Sequence, residues 1–416
     1  MTVHCRRIVE CHQLRTANSI LVTGATGILG ARIVKELLDK TTCKIYCLVR
    51  AASEHEGMAR IRAAIGIYGE ECLDERMRGR VTAIPGDTQL PGLGIAPSTS
   101  RMLSVDRVIH SAASVNLIAL YHALRKPNVV ATENVAKFSA QLQAPIIHVS
   151  THGIFGTKAF ERDAIFKETD LDIGQEFRFF YYAKSKFDAE RIVRGHADAG
   201  LPTIIVRPGD IFGDSQTGAY PLRTRRDADV FYDIFKTAID LGVAPFNDDY
   251  FDLTPVDYVA QAIVALMLDP ECYGKTFHLT NPDRKKYYQV INYLVEYGYR
   301  IRFVPFSEYL GLVKKGAFTN NGKKYTSKFI SLTEYFSSLF DGKSLCGTFD
   351  TTYTRSVLSR KGIQCPQANF ELIKTYLDYA VADGFIPPPS SQVLLSYEAR
   401  TTPNIRIPAL SRLRRI

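Results

Sequence analysis

The sequence predicts an α/β protein: a doubly wound parallel sheet followed by a smaller, mainly helical C-terminal part. Three observations predict it. Short apolar runs alternate with segments of helical spacing through the first half of the chain, the pattern of a parallel sheet covered on both faces. The first run ends in a glycine-rich turn, Thr23-Gly24-Ala25-Thr26-Gly27-Ile28-Leu29-Gly30. Past about residue 210 the alternation stops, and aromatic residues, loops and short helical segments take over.

The elements follow in order. Ser19 to Val22 is a short apolar run that reads as a buried strand, and Ala31 to Leu38 then has helical spacing. Further strands are predicted at Lys44–Val49, Val81–Ile84, Arg107–His110, Pro145–Val149 and Thr203–Val206. Helical patterns between most of them require right-handed crossovers. Thr254-Pro255-Val256-Asp257 reads as a helix start, with Thr254 as N-cap and Pro255 at the first helical position. Pro387-Pro388-Pro389 closes the globular part, and a basic segment follows. The resulting division is an N-terminal extension (1–18), a first domain (19–210) to which residues from about 240 to 280 return, a second domain (211–390) and a basic tail (391–416).

The 416 residues are 46% hydrophobic and 23% charged, which suits a globular protein with a full core. No apolar run approaches the roughly 20 residues that span a bilayer. The first 18 residues carry Arg6, Arg7 and Arg15 without an apolar stretch, so no secretory signal is expected. The eight cysteines form no CxxC pair and read as reduced thiols of a cytoplasmic protein. His148 and His152 have no cysteine or carboxylate near them in sequence, so no metal site is expected. The net charge of +9 is dispersed, with small groups at Arg223-Thr224-Arg225-Arg226, Lys314-Lys315 and Lys323-Lys324. It forms no single stripe interleaved with aromatics, which argues against a nucleic-acid binder.

Gly24, Gly27 and Gly30 follow a strand and open a helix. Glycines there let the backbone approach a pyrophosphate, while the helix N-terminus offers N–H groups and partial positive charge. The fold class is thus Rossmann-type, and the first domain is read as the dinucleotide site. Its second strand ends Leu48-Val49-Arg50. An acid at that place would select NAD; arginine suits a 2′-phosphate, so NADPH is favoured. Arg60 is either a second clamp or a solvated helix position. Gly86-Asp87 after the third strand fits a contact at the adenine end, or a simple turn.

Tyr182 and Lys186 are four residues apart, on one face of a helix. A nearby ammonium is expected to lower the phenol from its ordinary value near 10. Tyr182 can hydrogen-bond a substrate carbonyl oxygen, and Thr151, just after the fifth strand, can donate a second hydrogen bond to the same oxygen. YxxxK is weak alone; it gains weight from the strand-Ser150-Thr151 element and the glycine turn that precede it.

Together these residues resemble an extended short-chain dehydrogenase/reductase. More narrowly, they resemble the thioester reductase domains that end some nonribosomal peptide and polyketide synthases, and the similar domains of carboxylic acid and aminoadipate reductases. The matching stretches include Thr23 to Gly30, Cys47 to Ala51, Gly86-Asp87, His110 to Ala113, Leu124 to Val129, Val149 to Thr151, Tyr182 to Lys186, Arg207 to Ile211 and Asp252 to Tyr258. They span roughly residues 19 to 390.

The resemblance implies Thr151, Tyr182 and Lys186 as catalytic residues, with Asn128 as a fourth member of the proton network. It implies cofactor contacts at Thr23, Gly24, Thr26, Gly27, Ile28, Leu29, Gly30, Arg50, Arg60, Asp87, Ser111, Ala112, Ala113, Tyr182, Lys186 and Pro208. Substrate contacts fall on Thr151, His152, Asp210 and Ile211. Two residues depart from the pattern: Ser111 and Asp210 stand where such domains show asparagine, and Asp210 changes the polarity of the acyl pocket.

The implied reaction is reductive release. A carrier-bound acyl thioester takes a hydride from NADPH, and the hemithioacetal collapses to an aldehyde, with reduction to the alcohol as a further step. The implied partner is an acyl or peptidyl carrier protein with a phosphopantetheine arm. Such carriers are acidic, so the three basic groups are candidate docking points. The rival readings are a fatty acyl-CoA reductase and a non-catalytic NADP(H)-sensing protein of the same fold. A sugar-nucleotide epimerase fits Arg50 poorly, and a Dieckmann-type cyclase fits poorly with the tyrosine retained.

Overall fold

The computed structural model describes residues 18–391 except 70–72, 162, 223–229, 248 and 320–346. The arginines at 223, 225 and 226, Lys323-Lys324 and the basic tail therefore lie outside the described residues, as does the extension before Asn18.

Seven strands form one parallel sheet. They are β1 (Ser19–Thr23), β2 (Lys44–Val49), β3 (Val81–Pro85), β4 (Arg107–His110), β5 (Ile146–Val149), β6 (Thr203–Pro208) and β7 (Lys275–Leu279), in the order β3-β2-β1-β4-β5-β6-β7. The order reverses between β1 and β4, which opens a crevice at their carboxyl ends where ligands of such sheets bind. Six strands match the sequence reading. The seventh, β7, pairs in parallel with β6 and brings the 275–279 segment back to the sheet. Its exposed first residue and buried last three blur the apolar run that marks the inner strands.

Alternate residues of each strand face opposite layers. Ile20 and Val22 pack with Ile33 and Val34 of helix α1 (Ile28–Lys40). Leu21 packs on the other side with Val135 and Phe138 of helix α3 (Ala131–Gln141). Between them in the chain, helix α2 (Glu54–Gly66) covers β3. Each fully buried aliphatic side chain contributes about 1.5–3 kcal/mol. Helix α4 (Tyr181–Asp198) packs beside α3, and helix α5 (Val256–Met267) packs on α1.

The C-terminal part has a core of its own, rich in aromatics. Phe212 lies at its centre, with the rings of Phe231, Tyr232, Phe251 and Tyr376 5.3–5.8 Å away.

One predicted element is corrected. Thr254–Pro255 is a short strand paired in parallel with Ile211–Phe212, and α5 starts one residue later with no side-chain cap. The Thr254 hydroxyl is engaged elsewhere: it donates to Asp252 and accepts from the Asn281 N–H.

Candidate active site

The glycine turn is built by backbone contacts. Gly24 has φ +77°, and a Cβ there would lie 2.7 Å from the Ala112 nitrogen. A Cβ on Gly30 would lie 2.0 Å from the Gly24 oxygen. The loop after β4 is sewn to the turn: the Ser111 N–H donates to the Thr23 oxygen and the Ala112 N–H to Thr23 Oγ1, both at 3.3 Å. Helix α1 opens with no side-chain cap and no acidic residue in its first turn. Its N-terminal N–H groups and partial positive charge are thus left for an anion, and the glycines clear the approach. This cradle fits the pyrophosphate of a dinucleotide. Thr26 is exposed and Gly27 and Ile28 half-buried at its rim, while Leu29 anchors the helix in the core.

Arg50 and Arg60 meet at the carboxyl end of β2. Both are exposed, and the Arg60 guanidinium donates to the Arg50 carbonyl. Asp87 closes a local turn, its carboxylate accepting from the Gln89 N–H at 2.9 Å.

The chemical residues gather at the ends of β5 and β6 and on α4. Thr151 follows β5; its Oγ1 accepts from the Gly153 N–H at 3.2 Å, which leaves the hydroxyl proton to donate. Tyr182 and Lys186 occupy successive turns of α4. Lys186 is buried, and its ammonium donates to the Val149 oxygen at 2.7 Å. Burial lowers its pKa to about 8, with Glu190 acting in the opposite direction.

Asn128 sits on a π-helical turn, Arg125–Val130, that contains Pro127, a residue unable to donate to a regular ladder. Its side chain bonds the Ser114 backbone at 2.7 and 3.0 Å and Ser185 Oγ at 2.9 Å. These bonds, rather than one to Lys186, define its place: Asn128 ties the loop after β4 to α4.

The expected lowering of the Tyr182 phenol is corrected. Its pKa is raised, first by loss of solvent and then by the negative charge of Asp210. A phenol so placed keeps its proton near neutrality, the form needed to donate to a carbonyl oxygen.

Asp210 and His152 pair at 3.3 Å. Burial alone would lower the His152 pKa, but Asp210 and Asp252 outweigh it and raise the value. The Asp252 carboxylate lies against Gly209, where a Cβ would be 2.4 Å from Oδ2. Burial, with Asp210 adding to it, raises the Asp252 pKa to about 7. Pro208 ends β6 beneath this group, and Ile211 begins the short strand beyond it.

Other residues at the site escaped the sequence reading. Asp252 opens one of the stretches that carry the resemblance, yet no role for it was legible there; its signal is an acid between apolar residues. Glu190 and Arg207 are wholly buried and paired at 2.6 Å. Glu190 also accepts from Ser150 Oγ at 2.7 Å, beside Thr151. His110 and His148 lie with ring centroids 5.4 Å apart. Burial first, then the charge of Lys186, lowers both, His110 to about 3. Both are therefore neutral. Among the described residues no group of three or more His, Cys, Asp or Glu is placed to hold a metal. No described helix is long and apolar enough to cross a membrane.

A family model described as Male sterility protein, an NAD-binding domain, matches residues 22–263. The chain belongs to this family. A nicotinamide cofactor accordingly goes with this domain.

Within the family, the chain is similar to the solved terminal R domain of the myxalamid PKS-NRPS biosynthetic pathway. The two are 33% identical with a TM-score of 0.79, over 90% of this chain and 93% of that one. It is 34% identical to a linear gramicidin synthase protein of Brevibacillus parabrevis over 88% of its length. It is 29% identical to a glycine betaine reductase of Emericella nidulans over 92%. The chain spans only 7% and 30% of those two relatives.

Proposed function

We propose that this family member reduces an acyl or peptidyl thioester, presented on the phosphopantetheine arm of a carrier protein, and releases an aldehyde. The observation that supports the reading is that Thr151 follows β5, Lys186 bonds the last residue of that strand, and Tyr182 lies one helical turn before Lys186 with its phenol kept protonated. When bound, a nicotinamide cofactor would supply the hydride that goes to the thioester carbon.

The residues of the chain do the rest. Thr151 and Tyr182 donate to the carbonyl oxygen, and their pull grows as that oxygen gains charge. Tyr182 gives up its proton to the oxygen. The Lys186 ammonium stabilises the phenolate left behind. The tetrahedral product loses the carrier thiol as its C–S bond breaks, leaving the aldehyde. Asn128 and Ser185 hold α4 against the loop after β4 and so fix the distance between the phenol and the cofactor crevice.

The cofactor is proposed to be NADPH. Arg50 and Arg60, side by side at the end of β2, offer two guanidinium groups where a 2′-phosphate would lie. The reading places the reaction in the cytoplasm.

The test is oxidation of NADPH with an acyl-pantetheine thioester by the wild type and by Tyr182→Phe. The variant should lose roughly 10²- to 10⁴-fold in turnover, the worth of a positioned general acid, and retain NADPH binding. Equal turnover by both proteins would overturn the role of Tyr182. Tight NADPH binding with no thioester reduction by the wild type would overturn the reaction.

A further inference from the structure

A cleft of about 370 Å³ opens past the end of β7, lined by Asn281, Arg284, Thr348, Phe349, Asp350 and Arg355 among others. It adjoins the chemical residues. The Phe349 ring lies 5.0 Å from the His152 ring, and His152 follows Thr151. The Asn281 N–H donates at 2.9 Å to Thr254 Oγ1, which donates in turn to Asp252. Arg284 is close enough for its charge to act on both His152 and Asp252.

The cleft's chemistry is that of an anion site. Arg284 is held in place: Nη1 donates to the Gly347 oxygen at 2.8 Å and to Thr348 Oγ1 at 3.3 Å, and the guanidinium stands 3.9 Å over the Tyr250 ring. Arg355 lies exposed on the helix Thr352–Ser359. The lining acid, Asp350, accepts from the Thr352 N–H at 2.9 Å, at the start of that helix. The lining thus carries two guanidiniums against one carboxylate. The hydroxyl groups of Thr348 and Thr352 complete it. Arginine forks bind phosphate oxygens in pairs.

We infer that this cleft binds the phosphate at the far end of the pantetheine arm, with Arg284 and Arg355 as its two cations. The inference rests on the thioester-reductase reading. The arm then runs past Phe349 and His152, and its sulfur end comes to Thr151 and Tyr182. A phosphate stands at this place of the arm both in carrier-bound arms, as a diester, and in coenzyme A, as part of a pyrophosphate, so the site takes either source.

The experiment compares kcat/KM for acyl-phosphopantetheine and acyl-pantetheine, with Arg284→Gln and Arg355→Gln. The wild type should prefer the phosphorylated substrate by roughly 10- to 100-fold, the range for charge-assisted hydrogen bonds. Each variant should shrink that ratio towards one, and Arg355→Gln, at an exposed position, tests it without disturbing the fold. A wild-type ratio near one, or a ratio unchanged in both variants, overturns the inference and leaves thioester reduction standing. If no thioester is reduced, the reaction reading fails instead. Calorimetric affinities for phosphopantetheine and pantetheine then decide the cleft: tighter binding of the former supports it, and equal affinity overturns it. An equal preference for acyl-CoA and for carrier-bound acyl supports recognition of the shared phosphate.

Discussion

At the carboxyl end of β1 the working parts are backbone; at the carboxyl ends of β5 and β6 they are buried side chains. The glycine turn owes its shape to three missing Cβ atoms and a helix N-terminus left uncapped. The chemical end owes its properties to charge. Lys186, Glu190 and Arg207 are buried together, and the charge of Asp210 acts on His152 and Asp252, which also act on each other. Two halves of one site therefore fail in different ways. The glycine turn fails by steric intrusion, and the cluster of buried charges fails by loss of electrostatic balance.

The largest effect should come from the buried charges. Glu190→Gln leaves the Arg207 guanidinium without its carboxylate in a wholly buried place. Removing one partner of such a pair costs about 3–5 kcal/mol. Denaturant unfolding reads this, and a loss under about 1 kcal/mol would show that the pair is dispensable.

The second test is the pH profile. Burial sets the Lys186 pKa at about 8. Its ammonium is present below that value and is lost as pH rises through it. The Tyr182 phenol, raised, stays protonated over the same range. Turnover should therefore fall above about pH 8, and Lys186→Arg, which keeps its charge, should remove that alkaline limb. A profile flat to about pH 10, the ordinary value of a free lysine, would break the assignment.

On the backbone side, Gly30→Ala places a methyl group against the Gly24 carbonyl. Overpacking of this kind costs about 1–3 kcal/mol, and the dinucleotide should bind correspondingly weaker. Unchanged cofactor affinity by fluorescence titration would show that the turn can relax. The smallest effect is expected at exposed Arg50. Arg50→Asp should reverse the preference for NADPH over NADH, with about a tenfold loss in NADPH affinity, equivalent to about 1.4 kcal/mol. An unaltered preference would leave Arg60 as the selecting residue.

The legible parts of the molecule are those set by local rules. Ser19 to Val22 reads as a buried strand because it is apolar on both faces. Gly24, Gly27 and Gly30 read as a phosphate turn because glycine has a conformational reason to be there. Tyr182 and Lys186 share a face because a helix repeats every 3.6 residues. The Thr254 prediction failed for the opposite reason. Its hydroxyl has a local capping rule, but Asp252 and Asn281 compete for it, and Asn281 comes from far along the chain.

The alternating sheet, the glycine turn, the arginine at the end of β2 and the spacing of tyrosine and lysine were all readable in the bare chain. Each depends on neighbours a few residues away, where backbone geometry leaves little choice. Folding was needed to reveal that the Tyr182 phenol is raised, that Asp252 joins Asp210 and His152, and that Arg284 and Arg355 share a cleft beside them. Those properties arise from charges and burial contributed by segments far apart in the chain, and electrostatic energy depends on distance through space and on exclusion of water.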